Sequence, residues 1–395
     1  MHNVLFVESG TAGGGSFESL YQHLRVIDRQ RFRPSVVYLN ENRYVDRVLD
    51  LRIPVHILTD LLYSKHAFPL LRPAILKAAK WADRYFDAFY VDFRRMVHTP
   101  LIRRLERVIR EEKADIIHLN VQTNRDLFGI MVAERTGVPC ISHLRSRYSG
   151  GFGQRRAAYT NRIVSAYVAN SKEYKDYWEQ KGLDAQKMWL VLNGIPLQQI
   201  ASIDLRRSLS ISDQVRFVVG CVAPLRNTLK VDTYLLKAFA HFQSAYPDTV
   251  LVIVGDGKMK EYLIRQSRVL NIHDRVIFTG FQENAKELLA SFDVSVVPSG
   301  FDSFGRVVLE TMLARTPLVA TDVGGIREAV QHEHNGLLIE YGDEEGFTEA
   351  MQRLLTDENL RERLVENGYR TIEERFSIER YAADIERVYE SVLNG

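Results

Sequence analysis

Val296-Val297-Pro298-Ser299-Gly300-Phe301-Asp302-Ser303-Phe304-Gly305-Arg306-Val307-Val308-Leu309-Glu310-Thr311-Met312-Leu313-Ala314 is the stretch on which the fold turns. Residues 294–297, Val-Ser-Val-Val, form a short run that is apolar but for Ser295, the mark of a strand buried on both faces. Turn formers fill the next positions, and residues 307–314 then read as an apolar helix. A strand, a turn and a helix in so short a space are half of a βαβ unit.

The same alternation extends in both directions. Behind it, strands are expected at 215–220, 250–254 and 276–279, with helices at 231–246, 259–270 and 285–290. Ahead of it come strands at 318–320 and 337–339, then helices from Phe347 onward. The first half repeats the theme. Strands are expected at 4–7, 34–39, 53–57, 115–119, 140–144, 167–169 and 189–192. Helices fall at 16–29, 75–91, 100–113, 126–135 and 171–178, the last capped by Ser171. Strands alternating with helices imply mostly parallel sheets covered on both faces. The chain of 395 residues therefore reads as α/β with two Rossmann-like domains, a size that suits two. Their expected limits are 1–196 and 197–375, with a polar linker and hinge at 198–214. A last helix, 376–395, is expected to return to the first domain. Parallel sheets bind ligands beyond the carboxyl ends of their strands, so the chemistry belongs in the loops after strands, along a cleft between the domains.

Composition removes several classes. Cys140 and Cys221 are the only cysteines, so no disulfide scaffold and no clustered zinc or iron–sulfur site is expected. Two free thiols suit a reducing cytoplasm. No run of eighteen apolar residues occurs, and the strand-like run at residues 4–7 has neither the basic lead nor the apolar core expected of a signal peptide. The formal charge is only +2, but the first half is basic and the second acidic. A basic half attracts nucleic acid, an anionic small molecule or an anionic membrane surface. Nucleic acid is set aside, because the arginines are scattered and no aromatic platform interleaves with them. Residues 86–110 mix Phe89, Phe93, Met96, Leu101, Ile102 and Leu105 with six arginines. That segment reads either as helices with a solvated basic side or as a surface for anionic lipid.

Four features carry candidate chemistry. Gly13-Gly14-Gly15-Ser16 follows the first strand and opens a helix, which makes it either a tight turn or a loop whose amides meet a phosphate or sugar hydroxyl. It has neither the dinucleotide spacing nor the lysine of a P-loop. Glu310 lies on a largely apolar helix, so its carboxylate needs a partner: a surface or capping role, or the two hydroxyls of a ribose. Asp302 and the amides of Phe304 and Gly305 stand at the positive end of that helix, which suits a diphosphate. His143 follows an apolar run and is, on its own, either structural or catalytic. His332 and His334 form a close pair with no third ligand, and read as surface residues.

Taken together these residues resemble the retaining, nucleotide-sugar-dependent glycosyltransferases of family 4, which have the GT-B fold. The resemblance runs along nearly the whole chain. Its most specific element is an acidic residue followed, after seven residues, by glutamate, here Asp302 and Glu310; the family usually has glutamate at both ends. Gly13-Gly14-Gly15, Asn170-Ser171, Asn193-Gly194-Ile195-Pro196, Gly255-Asp256-Gly257, Phe278-Thr279-Gly280 and Thr321-Asp322-Val323-Gly324-Gly325 match in order and spacing.

The resemblance implies roles. Glu310 would hold the donor ribose, and Gly14, Gly15, Phe304 and Gly305 would line the donor site. Asp302 would lie near the transferred sugar, with His143 facing it and the acceptor. Arg226 and Lys230 would clamp the diphosphate, since Cys221 stands where the family commonly has an arginine; Arg145 or Arg147 could add charge from the first domain. A guanidinium binds phosphate bidentately and an ammonium acts as a point charge. The implied reaction moves a hexosyl group from a nucleotide diphosphate sugar to an acceptor hydroxyl with retention, by front-face attack, without a metal or other cofactor. UDP is favoured over GDP on the breadth of the family. A glycan, a lipid-linked sugar or a surface polysaccharide would be the acceptor, at the inner face of a plasma membrane. A nucleotide-sugar epimerase of the same fold and a non-catalytic nucleotide- or carbohydrate-binding protein are the alternatives.

Overall fold

The computed structural model describes residues 1–10, 15–59, 87–121, 123, 125–147, 152–227 and 229–395. Gly13, Gly14 and the start of the helix expected from Ile75 lie outside the described residues. The chain divides into two compact units, 1–194 with 378–395, and 195–377.

The first unit is a seven-stranded parallel sheet. Its strands are β1 (His2–Glu8), β2 (Phe32–Tyr38), β3 (Val55–Ile57), β4 (Ile116–Leu119), β5 (Cys140–Leu144), β6 (Val164–Ala169) and β7 (Met188–Leu190), in the order β3-β2-β1-β4-β5-β6-β7. The apolar runs become central strands because both faces are covered, and Val4 to Val7 are fully buried. On one face Val4, Phe6, Ile116, Ile141, Ala166 and Val168 meet the helices Gly15–Val26 and Ile378–Asn394. That last helix presents Ile378, Tyr381, Ile385, Val388 and Tyr389 on one side. Polar bonds add to the packing: Glu386 accepts from the Asp28 amide at 3.0 Å and pairs with Arg31.

One expectation needs correction in this unit. Pro100 does not start a helix; it lies inside the single helix Asp87–Glu111. A proline costs one backbone hydrogen bond there. The buried stripe of Leu101, Ile102, Leu105, Val108 and Ile109 carries the helix through it. On the solvent side Arg103, Arg104, Arg107 and Arg110 are exposed.

The second unit is a six-stranded parallel sheet of β8 (Phe217–Val222), β9 (Thr249–Val254), β10 (Val276–Gly280), β11 (Val294–Val297), β12 (Leu318–Thr321) and β13 (Leu337–Ile339), in the order β10-β9-β8-β11-β12-β13. The polar stretch read as a linker is part of this unit. Asp204 caps a short helix, Leu205–Leu209, and Leu205, Ile211 and Val215 are buried against Val218, Val250 and Phe292. These apolar residues suffice to dock it. The chain passes between the units at two points, 194/195 and 377/378. On the second unit's side of both, the Ile195 amide donates to the Phe376 carbonyl at 2.9 Å.

Candidate active site: polar clusters at the strand ends of each unit

In the second unit the strand order reverses at β8, with β9 and β10 on one side and β11 on the other. The carboxyl ends of β8 and β11 are thus the switch point at which doubly wound sheets take ligands. The loops leaving those strands are sewn together: the amides of Gly300 and Phe301 donate to the Leu229 carbonyl at 2.9 and 3.3 Å. This brings Lys230 onto Asp302, and their side chains form an ion pair. The other Asp302 oxygen accepts from the amides of Gly305, at 2.8 Å, and Phe304, at 3.3 Å. Asp302 is only 6% exposed and both its oxygens are engaged. It closes the turn that leads into the helix Arg306–Leu313 and holds a lysine above the switch point.

Phe304 is buried, edge-on to Phe376, so it reaches a ligand only through its backbone. Gly305 has φ +73°, and a Cβ there would lie 3.0 Å from Ile326. Its neighbour across the fold is the loop after β12, where the Gly325 amide donates to the Asp302 carbonyl at 3.0 Å. Glu310 is partly buried rather than fully so, and sits 3.6 Å from Arg306 one turn away. Arg226 is exposed on the loop after β8. Lys230, Asp302, Phe304, Gly305 and Glu310 therefore belong to one neighbourhood, with Arg226 four residues ahead of Lys230.

Tyr341 joins this cluster, although nothing in the sequence ties it to residue 300. Its ring lies against Gly300, where a Cβ would come within 2.9 Å, and its hydroxyl bonds to Asp232. Desolvation and Asp232 push this phenol up to about 12.

In the first unit, the sheet face that carries Phe6 and Ile141 turns polar at the carboxyl ends. Glu8, Asn120, His118, His143 and Arg145 gather there, and all but the partly buried Arg145 are almost wholly buried. Glu8 accepts from Asn120 and from the Gly10 amide, and burial pushes its carboxyl up. Gly15 opens the adjoining helix and is exposed. Arg145 spends its guanidinium inside this unit, on the carbonyl and side-chain oxygens of Asn120, on Asn193, on His143 and on Tyr381. Arg147 pairs with Glu173. His143 stacks on His118 with ring centroids 5.5 Å apart, and its Nε2 has no partner among the described residues. Sequence reading singled out His143 and Arg145 but not His118, Tyr381 or Tyr389. The available signal was the helical spacing of Ile378, Tyr381, Ile385 and Tyr389.

The buried histidines make this unit acid-sensitive. Burial, and then Arg145, lowers His23 to about 3, and His118 and His143 are also held well down. A histidine with a depressed folded pKa binds its proton more readily unfolded, so its stabilising share is complete above the ordinary value of 6.5 and is lost as pH falls towards 3. Glu8 has the opposite sign: its raised pKa favours the folded state at low pH, so it cannot cause acid loss. The melting temperature is expected to fall on acidification below about pH 6.5. His23→Leu should flatten that profile; an unchanged slope would remove His23 from the account.

Two family models match the chain. Glycosyl transferases group 1 matches residues 203–371, and Glycosyltransferase Family 4 matches residues 82–199. A Bacillus anthracis protein named N-acetyl-alpha-D-glucosaminyl L-malate synthase is 34% identical over 189 residues, 48% of this chain and 49% of that protein. The chain thus spans about half the length of that relative. An Escherichia coli UDP-Gal:alpha-D-GlcNAc-diphosphoundecaprenol alpha-1,3-galactosyltransferase is 24% identical over 68% of this chain and 75% of its own. Among solved structures, Anabaena HepE in complex with UDP and glucose superposes with a TM-score of 0.78 at 21% identity, over 99% of this chain and 100% of that one. At that identity the likeness is one of fold. Two parallel-sheet Rossmann-like units in one chain, so matched, define the GT-B class. The chain belongs to the glycosyltransferase family described by the group 1 and family 4 models.

Proposed function

We propose that this protein is a retaining glycosyltransferase. It moves a hexosyl group from a UDP-sugar to a hydroxyl of a glycan or lipid-linked acceptor, and it does so without a metal. The observation that carries this reading is the Lys230–Asp302 pair at the switch point, with Glu310 one turn along the helix that follows Asp302. Lys230 and Arg226 place positive charge where a leaving diphosphate gathers negative charge, which is where electrostatic stabilisation counts most. Glu310, on the same helix, supplies acceptor oxygens for the two ribose hydroxyls. In the transfer the bond from sugar C1 to the diphosphate oxygen breaks and a bond from C1 to the acceptor oxygen forms on the same face. The acceptor proton passes to the leaving phosphate.

Relatives point the same way on substrates. The Escherichia coli relative is named for a UDP-galactose donor and a diphosphoundecaprenol acceptor, and Anabaena HepE was solved with UDP-glucose. No helix among the described residues is long and apolar enough to cross a membrane. The exposed row of Arg103, Arg104, Arg107 and Arg110, with Met96 68% exposed near it, supports an anionic membrane surface as the place where a lipid-linked acceptor is met.

Calorimetry against UDP, GDP and ADP tests the reading. UDP should bind in preference, and Glu310→Ala should weaken it about 10- to 100-fold by removing two hydrogen bonds to a charged acceptor. Equal binding of the three nucleotides would overturn the UDP assignment. Undiminished binding by the variant would overturn the ribose contact.

A further inference from the structure

The buried chain of rings behind His143 has two possible proton orders, and one residue decides between them. Tyr389 Oη lies 2.7 Å from His118 Nδ1, and His118 Nε2 lies 3.3 Å from His143 Nδ1. Considered alone, the protons can run either way. In one order Tyr389 donates to His118 and His118 donates to His143, which leaves the hydrogen of His143 on Nε2. In the reverse order His143 carries its hydrogen on Nδ1 and donates inward, and its Nε2 is a bare lone pair. Each order satisfies every atom of the chain except that last nitrogen.

Arg145 breaks the tie. Its Nη2 lies 3.2 Å from His143 Nδ1, and a guanidinium has only donors. The two hydrogens of Nη2 are shared among Nδ1, Asn120 Oδ1 at 3.2 Å and Tyr381 Oη at 3.0 Å; a hydrogen on Nδ1 would point at a cation that can only donate, so the geometry favours Nδ1 as the acceptor. Burial, and then the same charge, opposes the imidazolium form. Arg145 is itself held by Asn120, Asn193 and Tyr381, so it does not swing away from the ring.

We propose that Arg145 is a positioning residue that sets the proton order of the Tyr389–His118–His143 chain, fixing His143 as the neutral Nε2–H tautomer. His143 then offers an oxygen of the substrate a hydrogen-bond donor, and it is not a general base. This deepens the glycosyl-transfer reading and rests on it for the identity of that oxygen, a sugar or acceptor hydroxyl. The assignment of the tautomer does not depend on turnover. The unpaired Nε2 is the independent sign that the chain ends in a nitrogen with no protein partner among the described residues, a place for a ligand atom in either proton order. The C-terminal helix enters the site by this route, through two tyrosine hydroxyls.

Nitrogen NMR of the full-length protein, labelled at histidine, is the test, with the His143 signals assigned by their loss in His143→Gln. In the wild type His143 should show a protonated Nε2 and a bare Nδ1 at neutral pH. A protonated Nδ1, or an imidazolium, would overturn the proposal. In Arg145→Gln the amide can donate or accept, so both proton orders become allowed and the His143 signals should move to a mixture of tautomers. Tyr389→Phe perturbs the same buried chain but leaves Arg145 in place, and His143 should keep the wild-type tautomer. An unmixed Nε2–H form in Arg145→Gln, or a mixture in Tyr389→Phe, would refute the role given to Arg145.

Kinetics supply the second readout. A glutamine amide places its nitrogen near the position of Nε2, whereas an asparagine amide falls near Nδ1. His143→Gln should therefore lose less in kcat than His143→Asn, which should lose about tenfold, the cost of one missing hydrogen bond. Equal losses in the two variants would overturn the donor role. If no donor and acceptor pair turns over, with UDP binding absent too, the glycosyl-transfer reading fails on its own and the NMR result still decides the tautomer.

Discussion

Asp302→Ala is expected to damage both the stability of the second unit and nucleotide binding, and to do so more than Asp302→Asn. The aspartate does two jobs with two oxygens. One pairs with Lys230 and the other closes the turn ahead of the helix Arg306–Leu313, accepting from the amides of Phe304 and Gly305. Breaking a buried ion pair from one side costs about 3 kcal/mol, and losing the turn's hydrogen bonds adds about 1 kcal/mol. The 29% exposure of the Lys230 side chain keeps the first figure at the low end of its range, because water screens the orphaned ammonium. Asparagine keeps an acceptor for the turn and loses only the charge. It should therefore melt closer to the wild type, yet leave Lys230 without its anchor and nucleotide affinity reduced. Chemical denaturation and calorimetry on both variants separate the two jobs. If Asp302→Ala and Asp302→Asn unfold at the same denaturant concentration, the turn's hydrogen bonds contribute nothing.

Gly255→Ala should be as severe, from an apparently trivial change. Gly255 has φ +142°, which alanine adopts only under strain, and an added Cβ would stand 1.9 Å from the carbonyl oxygen of Ala223. That oxygen belongs to backbone and has little room to yield. The loops after β8, β9 and β10 are tied there, since the Gly255 amide donates to the Gly280 carbonyl at 2.8 Å and Leu225 donates to Asp256 at 3.0 Å. Strain of this kind costs about 1–3 kcal/mol, and the forced shift of packed backbone costs about as much again. The loop that must move carries Arg226 and Lys230, so nucleotide affinity should fall together with stability. An alanine variant with wild-type melting temperature and wild-type UDP affinity would show that these loops are not a single rigid platform.

Much of the architecture was legible because parallel strands buried on both faces leave a plain trace. The runs 4–7, 140–144 and 294–297 each became a central strand, and Ser171 caps its helix by accepting from the Tyr174 amide at 3.2 Å. Errors arose where local signals lost to packing. Pro100 looked like a boundary, but five buried apolar residues hold the helix across it. The 198–214 stretch looked like a hinge, but buried Leu205 and Ile211 dock it, with Ile200, Ile203 and Leu209 packed beside them. At the candidate site, the spacing from Asp302 to Glu310 marked the right loop and helix. What spacing could not show is how the side chains divide their bonds. The turn-closing bonds of Asp302 and the inward commitment of Arg145 depend on partners 2 to 236 positions away in sequence.

The last helix also orders events during synthesis. Domains generally fold as units while the chain emerges from the ribosome, the earlier ones first. Here that order is inverted. All the residues of the second unit, 195–377, have been made before the helix Ile378–Asn394 appears, and the first unit needs that helix to bury Val4, Phe6 and Ile141 on one face of its sheet. The nascent first sheet must therefore wait, half covered, until the final stretch of this chain arrives. A chain released at residue 377 would carry all of the second unit and an unfinished first one, with its apolar face open to chaperones and proteases.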